Sequence, residues 1–169
     1  MDSETYLCST CGQAHPGLPL AYGADAPAHW YGMDEAEQAQ RWELTPDAAI
    51  LDGCHFFIRG RLELPIAGHH EPFSWDVWVS LSAESFARTE AMWNVEGRER
   101  EPPCFGWVST TLPGYPSTLN LRSRVHTRPV GLAPFVELEP TEHPLAVEQR
   151  RGITWDRVRE IAAQVQAGG

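Results

Sequence analysis

The stretch FSWDVWVSLS, residues 73–82, decides how the rest of the chain is arranged. Its odd-numbered residues are aromatic or aliphatic, whereas its even-numbered residues, apart from Trp78, are polar. Alternation with a period of two, rich in aromatic and β-branched side chains, predicts a β-strand with one apolar face. A strand this apolar needs a covered sheet, so we expect residues 73–82 to form a central antiparallel strand.

The segments on either side supply the rest of an α+β domain. Further strands are predicted at residues 48–51, 55–64, 104–112, 118–126 and 135–138. Helices are predicted at residues 34–43, 82–94, 143–150 and 154–166. Asp34 followed by Glu37 is typical of a helix start. The pattern predicts a mainly antiparallel sheet of five or six strands with helices packed on one face.

Composition changes once, near residue 32. Residues 1–32 are rich in Gly, Pro and Ala and show no sustained period, so we interpret them as a zinc-knuckle-like segment followed by an extended arm. Leu18, Leu20, Trp30 and Tyr31 are expected to lay this arm on the body. Residues 33–169 are predicted to form a single α+β domain.

The charge balance excludes several classes of partner. The 169 residues include 23 acidic and 13 basic side chains, a formal net charge of −10. Nucleic-acid binding draws much of its affinity from neutralised phosphates, and anionic membranes attract basic segments, so we expect neither partner. No apolar run approaches the roughly 18–20 residues of a membrane span, and the start has no signal-peptide pattern. We therefore expect a cytoplasmic protein whose cysteines are reduced.

The clearest local motif is a pair of cysteines near the start. Cys8 and Cys11 are spaced to place two thiolates on one tetrahedral zinc ion, and His15 is within reach as a third ligand. Candidates for the fourth position are Cys54, His29, His55 and Cys104, of which we take Cys54. A closed four-ligand site would be structural. The alternatives are unliganded surface thiols or a redox pair.

A second candidate site lies on the polar face of the predicted sheet. It comprises Arg59, Asp76, Trp78, Asn120 and Arg122, with Arg61 and Arg124 on the same face. A polar surface with an aromatic centre is typical of small-molecule or partner sites. The alternative is an ordinary solvated face, with Trp78 packed under a helix or under the N-terminal arm.

A third candidate lies at the start of a C-terminal helix. His143 and Glu148 could form an acid–base pair, but Pro144 suits a first helical turn and makes His143 a helix cap instead. We favour the cap because no nucleophile motif accompanies the pair. His69 and His70 fall in a loop between strands, which we interpret as a mobile turn.

Five blocks of the chain resemble a known bacterial family. They are CSTCGQAHPGLPL (8–20), HFFIRGRLELPI (55–66), FSWDVWVSLS (73–82), PCFGWVSTTLPGYPSTLNL (103–121) and TEHPLAVEQRRGIT (141–154). Together they resemble the uncharacterised family called domain of unknown function 2199. The resemblance implies a single-domain bacterial cytoplasmic protein and brings no activity with it.

Two functions are compatible with these features. The first is a non-enzymatic binding or interaction module, stabilised by zinc, whose protein or small-molecule partner is unknown. The second is a small metal-dependent or His/Glu-based hydrolase that uses His143 and Glu148. An enzyme requires a concave site where catalytic groups meet, whereas a binding module does not.

Overall fold

The computed structural model describes residues 5–7, 14–16 and 18–168, and its helices and strands lie within those ranges. The strands are β1 (Thr5–Leu7), β2 (Ala14–Pro16), β3 (Ala21–Gly23), β4 (Trp42–Leu44), β5 (Ala48–Leu51), β6 (His55–Leu64), β7 (Phe73–Leu81), β8 (Cys104–Val108), β9 (Arg122–His126) and β10 (Phe135–Leu138). The helices are α1 (Ala28–Tyr31), α2 (Glu35–Arg41), α3 (Ala83–Ala91), α4 (Pro144–Arg151) and α5 (Trp155–Gly168). The fold is α+β, as predicted.

Five strands close into a barrel. β6, β7, β8, β9 and β10 pair in that order, each antiparallel to the next. β10 then returns to β6 in a parallel pairing between Phe135 and Arg61, which closes the ring. The strands are mainly antiparallel, as predicted, but the predicted sheet of five or six strands is instead a closed five-stranded barrel with further strands beside it. β5 and β4 extend the sheet beyond β6, and β3 lies beside β7.

A glycine in the middle of β6 permits the closure. A Cβ at Gly60 would lie 2.6 Å from the Val136 side chain and 3.1 Å from the carbonyl oxygen of Pro134. The backbone of β10 therefore approaches β6 only because this position has no side chain. The neighbouring Arg61 N–H donates to the Pro134 carbonyl at 2.8 Å, which ties the two strands together.

Strand β7 lies in the middle of the sheet, as predicted. It pairs with β6 along its whole length. Its other edge pairs with β3 in parallel near its start and with β8 near its end. Phe73, Trp75, Val77 and Val79 are buried on one face, and Trp78 is buried on the other. The apolar side chains on both faces of β7 are therefore buried.

Two apolar clusters lie on the two sides of the sheet. The larger one joins residues of the barrel strands to the buried faces of the later helices, including Phe86 of α3, Leu145 of α4 and Ile161 of α5. The smaller one joins Trp78 and its neighbours to Trp30 of α1. Helices α3, α4 and α5 therefore pack on one side of the sheet, as predicted, whereas the N-terminal segment with α1 covers the other side.

Two strands are shorter than predicted, because threonine hydroxyls rather than a neighbouring strand bond to the backbone at their ends. The Trp78 N–H donates to the Thr110 hydroxyl at 2.8 Å, and the Thr118 hydroxyl donates to the Thr110 carbonyl at 2.6 Å. As a result β8 ends at Val108 rather than at residue 112, and β9 begins at Arg122 rather than at residue 118. The predicted start of α2 is confirmed, since Asp34 accepts a hydrogen bond from the Glu37 N–H at 2.8 Å.

The N-terminal segment is described in part. β1 pairs with β2 in an antiparallel hairpin in which Tyr6 lies opposite His15. Cys8 and Cys11 lie outside the described residues, so the knuckle stays a prediction. Leu18 and Leu20 pack against the larger cluster, whereas Tyr31 is exposed. Among the described residues, no helix has the length and apolar character needed to cross a bilayer.

Candidate ligand-binding cleft

The predicted aromatic centre, Trp78, is not at the surface. Its side chain is 0% exposed, and its indole N–H donates to the Ala24 carbonyl at 3.0 Å. It packs with Phe57 and Trp42 beneath the N-terminal segment. Trp78 is therefore not the exposed centre of a contact surface. The alternative, in which this residue packs under the N-terminal arm, describes its position, because residues before β4 cover this part of the barrel.

The charged residues around Trp78 compensate one another. Asp76 lies between two arginines, with Arg59 Nη2 at 3.6 Å and Arg61 Nε at 3.4 Å from its carboxylate oxygens. Asn120 lies in the turn before β9, where it adopts a φ of 66° and its N–H donates to the Val108 carbonyl. Arg122, the remaining residue of the predicted surface, lies on β9 at the border of a different, concave part of the barrel.

His143 and Glu148 are held by different partners. The Nδ1 atom of His143 accepts from the Leu145 N–H at 3.1 Å, so the residue caps α4 as predicted, and its Nε2 lies 3.1 Å from the Ser117 carbonyl oxygen. Nε2 must therefore carry the proton in the neutral ring. Glu148 instead pairs with Arg157 at 3.1 Å. The two side chains thus hold structural contacts rather than each other.

A partly buried tyrosine completes the cluster around Glu148. The hydroxyl of Tyr115 accepts from the Trp75 indole N–H at 3.2 Å, and the Arg157 guanidinium lies 5.3 Å from its ring centroid. Burial, with a smaller contribution from the Glu148 carboxylate, raises the pKa of Tyr115 to about 12. This cluster therefore joins β7, α4 and α5 through polar contacts in the interior.

The described residues contain no group of three or more side chains able to hold a metal ion. Cys54 is exposed in the turn before β6, and the side chain of His15 lies outside the description. Cys104 packs against the larger cluster, where burial raises the pKa of its thiol.

A cleft of about 1010 Å³ opens on the outside of the barrel between β9, β10, α4 and the loop after β6. Its apolar surface includes Ile66, Pro72, Phe135 and Leu138. The volume is about that of the upper range for small-molecule sites. The structure thus has a concave surface large enough for a metabolite.

Two connections fix the walls of this cleft. The side-chain amide of Gln149 on α4 accepts from the Leu138 N–H at 2.8 Å and donates to the Val136 carbonyl at 2.9 Å, which anchors α4 beside β10. The loop after β6 is held by His69, which stacks on Trp155 at 4.6 Å. The backbone N–H of Ala67 also donates to the Ile153 carbonyl, so this loop is bonded to the segment between α4 and α5.

The charges in the cleft are unequally satisfied. Each carboxylate that lines it has its own side-chain partner 3.1 Å away: Glu63 pairs with Arg128, Glu139 with Arg122, and Glu137 with the imidazole of His126. Arg124 and Arg150 also line it, and neither makes an ion pair or a hydrogen bond with any residue in the described part of the chain. The uncompensated charge in the cleft is positive.

An exposed aromatic pair borders the same face. Phe105 and Trp107 of β8 are 39% and 41% exposed, and their rings meet edge to face with centroids 4.8 Å apart. The Arg122 guanidinium lies 5.1 Å from the Phe105 ring and 5.6 Å from the Trp107 ring. We call these two rings the aromatic pair.

Sequence reasoning missed both the aromatic pair and the cleft. The alternation of Phe105 and Trp107 with Gly106 and Val108 was the available signal for an exposed ring face. Arg150 gave no signal, because its position beside β10 depends on how α4 docks. Arg124 is exposed on β9, in agreement with its predicted place on the polar face.

The fold and the cleft define a small α+β barrel protein with an open, ligand-sized surface depression. A family model described as an uncharacterized protein conserved in bacteria, DUF2199, matches residues 7–153. The chain therefore belongs to this family. No curated protein and no solved structure matches it at a significant level.

Proposed function

We propose that this protein is a non-enzymatic binding module that takes a small-molecule anion in the cleft between β9, β10 and α4. The observation that carries the proposal is that Arg124 and Arg150 lack partners among the described residues, in a cleft whose carboxylates are all paired. In a chain with a net charge of −10, two unpaired guanidinium groups that line one concavity give it a local positive charge that suits an anion. The proposal therefore retains the binding module expected from the sequence, but it places the binding surface in the cleft rather than around Trp78.

The chemistry of the two arginines favours a carboxylate or a phosphate group. A guanidinium presents a planar fork of donors that matches either oxyanion with two parallel hydrogen bonds. The apolar side chains Phe135 and Leu138 would contact the hydrocarbon part of the ligand. A concave surface of this size suits a small molecule better than a flat protein partner.

Direct titration tests this proposal. The probes are pyrophosphate, citrate and ribose 5-phosphate, measured by calorimetry at low ionic strength. Arg124→Ala and Arg150→Ala should each weaken binding by about tenfold or more, since hydrogen bonds to charged groups contribute roughly 1.5–3 kcal/mol. Arg151→Ala is the matched control, because Arg151 is the exposed neighbour of Arg150 on α4 and does not line the cleft.

Two outcomes would contradict the proposal. One is that none of the three anions binds to the unmodified protein. The other is that Arg151→Ala weakens binding as much as Arg150→Ala, because affinity would then follow the overall charge rather than the cleft.

We also propose that zinc stabilises the N-terminal segment of this cytoplasmic protein through Cys8, Cys11 and His15, with Cys54 as the fourth ligand. The Cys-x-x-Cys spacing supports this assignment, and a reducing compartment would keep the thiolates available. Zinc content of the purified protein should fall to background in Cys11→Ala and stay unchanged in Cys104→Ala. Equal zinc in the unmodified protein and in Cys11→Ala would remove the site.

A further inference from the structure

The aromatic pair on β8 is continuous with the cleft through one residue. Arg124 lies directly opposite Phe105 on one side and opposite Glu137 on the other in the strand register. Adjacent strands are about 4.8 Å apart, so side chains on the same face at these positions are neighbours. A ligand whose anionic group contacts Arg124 therefore has the Phe105 ring one strand away.

The aromatic pair has the properties of a stacking surface. Two rings exposed by about 40% each lie next to one another on a strand with no covering element among the described residues. Solvent contact at two large neighbouring rings is unfavourable, and such patches are typical of ligand or partner sites. The Arg122 guanidinium lies over both rings and pairs with Glu139, so a ligand ring would stack on the part of the two rings that Arg122 leaves exposed.

From this continuity we infer that the ligand is an anion that carries a planar aromatic or heteroaromatic ring. The ring stacks on Phe105 and Trp107, and the anionic group is held by Arg124 and Arg150. The anionic half of this inference rests on the proposed function, whereas the aromatic half rests on the exposure and the register of β8. The chemistry is shared by nucleoside phosphates and by aromatic carboxylates.

A nucleic-acid strand is a less suitable occupant of the same surface. A strand would need several uncompensated cations along its path, because its affinity depends on neutralising successive phosphates. Along β9, Arg122 is paired with Glu139 and His126 with Glu137, which leaves Arg124 as the unpaired cation of that described strand. A single unpaired cation on β9, next to the aromatic pair, is suited to bind one small molecule rather than a row of phosphates.

The experiment compares ligands that share one half of this chemistry. Calorimetry is performed with adenosine 5′-monophosphate, ribose 5-phosphate, adenosine and indole-3-acetate. At least one of the two aromatic anions should bind about tenfold more tightly than ribose 5-phosphate, since stacking on an aromatic side chain contributes about that factor. The better of the two aromatic anions identifies the source of the ring.

The double variant Phe105→Ala/Trp107→Ala separates the contribution of the aromatic ring from that of the anionic group. It should reduce the affinity for the aromatic anion to that for ribose 5-phosphate and leave ribose 5-phosphate binding unchanged. Tyr31→Ala is the control, since Tyr31 is an exposed ring on α1 outside the cleft. Far-ultraviolet circular dichroism and the melting temperature check that the double variant is folded.

The failures are distinguishable. If ribose 5-phosphate binds through Arg124 and Arg150 but the double variant binds the aromatic anions as tightly as the unmodified protein, the stacking inference is wrong and the proposed function stands. If adenosine alone binds as tightly as the monophosphate, and does so without Arg124 and Arg150, the proposed anion site is wrong instead.

Discussion

Two tryptophans on the outer face of one barrel have opposite environments. Trp78 of β7 is 0% exposed and donates a hydrogen bond to the N-terminal segment, whereas Trp107 of β8 is 41% exposed and contacts Phe105 and Arg122. In the sequence, Trp78 interrupts the polar face of its strand, and Trp107 alternates with Gly106 and Val108. The difference between them is a covering segment, and that segment comes from a remote part of the chain. An outward-facing tryptophan is therefore informative only once its cover is known.

The largest expected effect separates these two residues by stability. Trp78→Ala should lower the free energy of unfolding by about 3–5 kcal/mol, because it empties a buried site and leaves the Ala24 carbonyl without its donor. Trp107→Ala should lower it by about 1 kcal/mol or less, as for a surface substitution. Urea unfolding followed by circular dichroism measures both. Similar losses in the two variants would mean that the covering segment contributes nothing.

A second test concerns Tyr115, whose hydroxyl accepts a hydrogen bond from the indole N–H of a third tryptophan, Trp75. The folded pKa of Tyr115, about 12, lies above the ordinary value near 10, so the unfolded chain loses this proton first as the pH rises. Stability should therefore be unaffected by this group below pH 10 and should fall between pH 10 and 12, by about 1.4 kcal/mol per pH unit.

The composition of the chain simplifies the measurement of stability between pH 10 and 12. All 13 basic side chains are arginines, so no lysine titrates there. Tyr115→Phe should remove most of the decline between pH 10 and 12, although it also costs stability at neutral pH because the Trp75 donor loses its acceptor. A decline that is equally steep in Tyr115→Phe would assign it to another group.

The smallest expected effect tests whether α2, which follows the N-terminal segment, is as stable as the helices that pack on the barrel. Asp34→Ala removes the cap of α2, and Ser82→Ala removes the matching cap of α3, where the Ser82 hydroxyl accepts from the Ser85 N–H at 3.1 Å. Each should cost about 1 kcal/mol. Amide hydrogen exchange should show faster exchange at Glu37 in Asp34→Ala. A much smaller loss for Asp34→Ala would mean that α2 already unfolds locally.

Local patterns predicted the elements well. The alternation in β6 and β7, the Asp34 cap of α2 and the placement of His143 before Pro144 are all properties of neighbouring residues, and the structure contains each of them. Contacts within one element depend on spacing along the chain, which the sequence displays directly.

The barrel and the cleft depend instead on remote contacts. Closure requires β10 to approach β6 at Gly60, although about 75 positions separate their paired residues Arg61 and Phe135. The cleft requires Arg124 of β9 and Arg150 of α4 to line the same cavity, and the sequence gives no sign that this strand and this helix lie close together. The partner of Glu148 shows the same limit, because Glu148 of α4 pairs with Arg157 of α5 and this pairing depends on how the two helices dock.

The amide of Gln149 has a consequence for the behaviour of the protein in concentrated solution. Beyond Phe135, β10 would offer a bare carbonyl and a bare N–H on the side away from β9, and such an edge can recruit a strand from another molecule. Gln149 satisfies both groups with a single side chain, so a helix residue takes the place of a missing strand. Its amide thereby removes this short stretch of β10 from the edges that could pair with a strand of another molecule.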